Sequence, residues 1–218
     1  MLTISDLFDL DHTLAKGYLS EYTYPWEAFA GLKEFILRLG PALPAAYREL
    51  FPGVWVHESA KISPAAYLGS PCIIGAGTEV RHGAFIRGSV LVGEGCVAGN
   101  SAELKNALLF DGVQTPHYNY VGDSILGYKS HMGAGAVTSN VKSDKTPVVV
   151  RDGEERVETG LKKLGAMLGD FVEVGCNSVL NPGTVVGRRS NIYPLSCVRG
   201  TVPPDSIYKT GGVIVKKR

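Results

Sequence analysis

From Val56 every sixth residue is apolar: Ile62, Leu68, Ile74, Val80, Ile86, Val92, Ala98 and Leu104 follow without a break. After a one-residue slip the series resumes at Leu109, Thr115 and Val121, and after another at Leu126, Met132 and Thr138. A third block runs Leu168, Val174, Leu180, Val186, Ile192 and Val198. The residue after the marker is often glycine, as at 69, 75, 93, 99, 133, 169, 175 and 187, and the fourth after it is small, as at Cys72, Ala84, Cys96, Ala136 and Ser178. Neither the 3.6-residue period of a helix nor strand alternation accounts for a sixfold repeat. A parallel β-helix does, since each hexad supplies one short strand and one turn, and the marker fills the interior. Glycine is expected there because it adopts backbone conformations that a Cβ penalises. Three hexads close one triangular coil, so the 21 hexads of these blocks predict about seven coils, stable only as a stack.

Two stretches leave the pattern. Residues 1–52 read as a helical N-terminal cap over the open end of the first coil. Pro25 suits a first helical position, Phe29, Leu32, Phe35, Ile36 and Leu39 share a face, and Gly40 suits the stop. Residues 139–165 form an excursion whose segment Val148 to Val157 reads as a hairpin turning at Asp152-Gly153. The expected organisation is thus a helical segment over 1–52, a β-helix domain over 53–205 that carries the inserted hairpin loop, and a C-terminal tail over 206–218 whose end, Val213 to Arg218, is read as a solvated terminus or as an extension of a strand.

Composition sharpens this picture. Glycine makes up 27 of 218 residues, above the usual roughly 7%, without the triplet period of collagen. The formal charge of +1 argues against a global pull on nucleic acid. No apolar run is long enough to span a bilayer, and Met1-Leu-Thr-Ile-Ser-Asp6 lacks a basic leader, so a cytoplasmic protein with neither nucleic-acid nor membrane partner is expected. Cys72, Cys96, Cys176 and Cys197 form no CxxC pair, and Cys72 and Cys96 stand at small inward positions.

Candidate chemistry concentrates between Arg87 and Asn140. Arg87 and Lys105 are 18 residues, or about one coil, apart, which suits a phosphate clamp as well as it suits two solvated cations. His117, with Tyr118 and Tyr120 beside it, suits a general base or a solvated turn. Asp9 and Asp11 in Leu7-Phe-Asp-Leu-Asp-His-Thr13 superficially match a phosphatase motif, but too few residues surround them to build its sheet. Five residues after His117 stands Gly122, and five after His82 stands Arg87, so the spacing of a three-histidine zinc site is missing and no metal is expected.

Three motifs carry a resemblance: Ala102-Glu-Leu-Lys105-Asn-Ala107, His117-Tyr-Asn-Tyr120-Val-Gly-Asp123, and Met132-Gly-Ala134-Gly-Ala-Val-Thr-Ser-Asn140. In order and spacing they resemble the acetyltransferase domain of the bifunctional enzyme that makes UDP-N-acetylglucosamine, and the hexad frame extends the likeness over about residues 56–205. The resemblance implies a left-handed parallel β-helix, a homotrimer with sites between subunits, and acetyl-CoA as cosubstrate. It implies an amino-sugar phosphate or nucleotide sugar as acceptor. His117 matches the general base, and Glu103 the carboxylate beside it. Arg87 and Lys105 match phosphate-binding positions, and Tyr120 and Asn140 match sugar contacts. Ala134 matches a backbone contact near the acyl group. His131 stands where the family has a sugar-contacting asparagine, Cys176 where it has a serine near coenzyme A, and Val141 where it has a tyrosine. The alternative is a non-catalytic or regulatory trimer that binds a sugar nucleotide.

Overall fold

The computed structural model describes residues 1–217, and from Val54 onward each hexad forms a short strand and a corner. Parallel pairing sets Lys61 opposite Glu79 and Tyr67 opposite Phe85, the 18-residue step that three hexads per coil require. Three faces result. The first holds strands such as Val54–His57, Cys72–Ile74, Val90–Val92 and Thr184–Val186. The second holds Lys61–Ile62, Glu79–Val80, Val97–Asn100, Gln114–His117 and His131–Met132. The third holds Tyr67–Leu68, Phe85–Ile86, Val137–Thr138, Val179–Leu180 and Cys197–Val198. This is the parallel β-helix that the hexads predict, in the left-handed form that the resemblance implies. The markers from Ile74 to Val198 all point inward and are buried. Thr78 Oγ1 donates to the Gly93 carbonyl and Ser190 Oγ to that of Pro203 on the next coil, both at 2.7 Å, whereas the buried Ser130 Oγ has no partner among the described residues.

The glycines serve two separate purposes. Those after the markers have ordinary φ, and what they provide is room, because coils touch there. A Cβ on Gly169 would stand 2.8 Å from the Arg188 nitrogen, and one on Gly133 2.7 Å from that of Cys176. The conformational demand expected for these glycines falls instead on corner residues such as Gly77 (φ 65°), Gly95 (φ 60°) and Gly135 (φ 71°).

Both slips fall at one corner. Gln114 pairs with Val97 and Tyr120 with Glu103, a 17-residue step, and the lost residue tightens the passage from the third face to the first. There Glu103–Leu109 and Tyr120–Leu126 run continuously around the corner, bent at Asn106 and Asp123, both with φ of 48°. Asn and Asp are the side chains that tolerate this left-handed region best. The excursion then lengthens one coil to a 42-residue step, His131 to Glu173, without disturbing the register of later coils. Its hairpin pairs Val149–Asp152 with Glu155–Glu158. Asp152 pairs with Glu155, so the turn is made by Gly153 and Glu154, not Asp152 and Gly153. Gly153 at φ 58° fits the first central position of a II′ turn.

The N-terminal segment is helical at Ile4–Leu7, Lys16–Leu19 and Leu32–Leu39, with 3₁₀ turns between them, and Pro25 opens one of these as expected. Its helices lie along the first face, and only its last part reaches the open end of the first coil. The outward residues of that face, Ile73, Leu91, Leu108, Ile125, Met167 and Val185, are as buried as the markers. They pack against this segment and the hairpin: Leu32–Leu39 contacts Val90–Val92, Pro25–Ala30 contacts Tyr120–Leu126, and Val149–Asp152 contacts Thr184–Val186. Each such Leu or Ile removed from water contributes about 1.5–3 kcal/mol. At the open end Tyr47–Phe51, within the segment expected to be helical, is a strand antiparallel to Val54–His57. At the other end Ser206–Tyr208 extends the second face, and Ile214–Lys216 pairs antiparallel with it. Of the tail, Ser206–Tyr208 and Ile214–Lys216 are strands and residues 209–213 between them are an exposed turn, while Arg218 lies outside the described residues.

Candidate active site

The uncovered third face carries polar groups on both its edges. Along the corner where the second face enters the third, backbone bonds stack the coils. Tyr118 N–H donates to the Asn100 carbonyl (2.9 Å), Gly135 to His117 (3.0 Å), Asn177 to Ala134 (2.9 Å) and Leu195 to Cys176 (2.9 Å). His117, Ala134 and Cys176 thus occupy equivalent corner positions on three successive coils. The His117 imidazole is exposed and has no hydrogen-bond partner among the described residues, whereas its backbone is held firmly. Buried Asn119 accepts from the His117 N–H at 3.0 Å and donates to the carbonyls of Gly133 (2.8 Å) and Ala136 (3.1 Å), locking this corner to the next. In the Gly133-Ala134-Gly135 turn the N–H groups of Gly133 and Gly135 are spent on Val174 and His117. Ala134 N–H has no partner among the described residues, so it is the free donor of that turn.

The opposite edge is the tight corner. Asp123 is 3% exposed, yet its carboxylate is fully satisfied. Lys105 Nζ reaches both oxygens at 2.8 and 3.0 Å, Asn106 Nδ2 donates to one at 2.8 Å, and Asn140 Nδ2 donates to the other. Asn140 also donates to the Tyr120 hydroxyl at 3.2 Å. Burial, with Asp123 and Glu103 nearby, pushes the Tyr120 phenol up, so it stays protonated through the neutral range. Arg87 Nη1 donates to Glu103 Oε1 at 2.8 Å, and this carboxylate raises the guanidinium further. The structure therefore brings Arg87, Glu103, Lys105, Tyr120 and Asn140 together. It adds Asp123, which stands one step of 18 residues after Lys105, as Lys105 does after Arg87, so extending that step by one coil is the signal that finds it.

Each cation is already held by a carboxylate, so Arg87 and Lys105 are not the bare pair that spacing alone suggests. Each keeps donors in reserve, since an ammonium has three and a guanidinium five. His131 lies elsewhere: on the second face, its Nδ1 stands 2.9 Å from Glu173 Oε2 and it joins neither edge of the third face. Within one chain the His117 column and the Asp123 cluster flank opposite edges of the same face, six residues apart along one coil.

A β-helix of hexad coils with an ionic cluster at the corner of an open face defines a hexapeptide-repeat protein. The chain belongs to the GMPPB C-terminal domain family, whose model matches residues 70–202. It is 28% identical over 207 residues to the bifunctional protein GlmU of Methanococcus maripaludis, covering 93% of this chain and 50% of that protein. It is 32% identical over 156 residues to a bifunctional sugar-1-phosphate nucleotidylyltransferase/acetyltransferase of Sulfurisphaera tokodaii, covering 72% and 39%. The chain thus spans half or less of the length of these curated relatives. Among solved structures it is similar to the acetyltransferase domain of PglB from Neisseria gonorrhoeae, with 16% identity, a TM-score of 0.37, and coverage of 78% of this chain and 61% of that one. No helix among the described residues is long and apolar enough to cross a membrane.

Proposed function

We propose that the protein is an acetyl-CoA-dependent N-acetyltransferase acting on an amino-sugar phosphate or nucleotide sugar. The observation that carries this reading is the His117, Ala134 and Cys176 column, where an unpartnered imidazole and an unpartnered backbone N–H sit on adjacent coils. The names of relatives that include an acetyltransferase activity support it. An ammonium is not a nucleophile, so the neutral imidazole of His117 takes a proton from the acceptor amine as its nitrogen bonds to the thioester carbonyl carbon. The carbonyl oxygen becomes an oxyanion, for which the Ala134 N–H is the donor at hand. The carbon–sulfur bond then breaks, and the coenzyme A thiolate leaves and accepts the proton that His117 had taken. The reserve donors of Arg87 and Lys105 hold the acceptor phosphate, Tyr120 and Asn140 contact the sugar, and Glu103 and Asp123 position the two cations. Cys176 lies along the path of the donor, and His131 contacts the acceptor only if assembly carries it there.

The reading includes a homotrimer. A ring of three copies, each turning its third face to the axis, sets the His117 edge of one chain beside the Lys105 and Asp123 edge of the next, completing three sites. The test is His117→Ala with glucosamine-1-phosphate and acetyl-CoA. A fall in kcat of about 10²–10⁴-fold with an unchanged melting temperature is expected, since the ring has no partner in the fold. Undiminished turnover overturns the role of His117. Tight sugar-nucleotide binding without acetyl-CoA affinity favours the non-catalytic alternative.

A further inference from the structure

Further along the third-to-first corner the inserted loop and the solenoid enclose a cleft of about 360 Å³. Three cations line it, Lys142 and Arg151 from the loop and Arg199 from the corner, together with Asn181, and no carboxylate does. The loop is fixed in place: Val148 and Val150 are fully buried, and Thr201 Oγ1 donates to the Arg151 carbonyl at 2.8 Å. Gly183 and Gly200, with φ of 78° and 74°, form part of the wall and leave it free of side chains. Lys142 lies 3.3 Å from Asp144, but neither Arg151 nor Arg199 has an ion-pair partner among the described residues. Arg151 moreover faces Arg156 directly across the hairpin, a like-charge pairing that costs stability unless an anion offsets it. Everywhere else along this corner, cations are matched: Arg87 by Glu103 and Lys105 by Asp123.

We propose that this cleft binds the diphosphate group of a nucleotide-type ligand. Arg151 and Arg199, both exposed and both lining this pocket, carry guanidiniums of the kind that grip phosphate oxygens through two parallel bonds. The volume exceeds what a single small anion fills and lies in the range of small-ligand pockets. Two guanidiniums without an ion-pair partner among the described residues, beside a lysine whose ion pair is with Asp144, suit a multiply charged group. Such a diphosphate is found in coenzyme A and equally in a sugar nucleotide. The inference does not rest on acyl transfer and is read by binding alone.

The experiment is calorimetric titration of the full chain and of the Arg151→Gln/Arg199→Gln variant, both checked for unchanged melting, with pyrophosphate, coenzyme A and UDP-N-acetylglucosamine as separate probes. The expected result is pyrophosphate binding that weakens at least tenfold in the variant and falls with added salt in the wild type. Whichever of the two larger probes weakens with it supplies the diphosphate. His117→Ala binds pyrophosphate like the wild type even where its turnover is lost, which separates this site from the acyl-transfer reading. Absence of pyrophosphate binding, or equal affinity in the variant, overturns the proposal.

Discussion

Asp123 shows how one backbone conformation makes a site. The one-residue tightening of the corner demands a left-handed residue, and an aspartate meets that demand while turning its carboxylate into the space between Lys105, Asn106 and Asn140. A buried carboxylate is tolerable only with its lone pairs satisfied, and three donors from two coils satisfy it. Read locally, Asp123 is one more polar residue in a turn, and the signal that singles it out is the 18-residue step from Lys105. His117 was legible because its motif is local. The cysteines give a test at the same scale. Burial pushes the thiols of Cys72 and Cys96 up to about 12. A thiol titrating there is almost wholly protonated at pH 8 and correspondingly unreactive. With an aromatic disulfide reagent at that pH, Cys72 and Cys96 should react only after denaturation, as mass mapping of the labelled peptides would show. Labelling of either in the folded protein would contradict the packing described.

Among the elements, the corners and the first face taught most. The sixfold period exposed every inward position, yet by counting one residue in six it passed over the outward position beside it. Apolar triplets such as Cys72-Ile-Ile74 and Val90-Leu-Val92 mark a strand buried on both sides, and they are the signal that the first face has a cover. Tyr47–Phe51 gave no such signal, because four of its five residues are exposed and no alternation marks it. The two uses of glycine make separable predictions. Gly169→Ala places a methyl against the Arg188 backbone and should cost about 1–3 kcal/mol or more, as overpacking does. Gly77→Asn has open space and needs only a left-handed residue, so chemical denaturation should show a loss well below 1 kcal/mol. Equal costs would mean that space and conformation are not the separate constraints described.

At the scale of the molecule, the hairpin packs on its own solenoid, and the third face is the surface that the proposed ring would use. If that face closes a ring of three, the two halves of each site come from different chains. His117→Ala and Lys105→Ala proteins, each inactive alone, should regain part of the wild-type turnover when unfolded and refolded together, since mixed rings contain intact sites. Mixtures as inactive as their components would place both halves of the site in one chain. The sequence carried the coil and its motifs because both are written at short range. It did not carry the pairing of edges, which depends on where a stack of coils turns its faces.

At each end of the stack one face is closed by a strand that runs against the coils. Every coil is a template for the next, so a parallel ladder left open at either end would accept a coil of any neighbouring copy. Tyr47–Phe51 and Ile214–Lys216 run the opposite way and break the template. Each covers the edge of one face, the first face at one end and the second at the other, so on that face a coil of another copy meets a strand of the opposite direction.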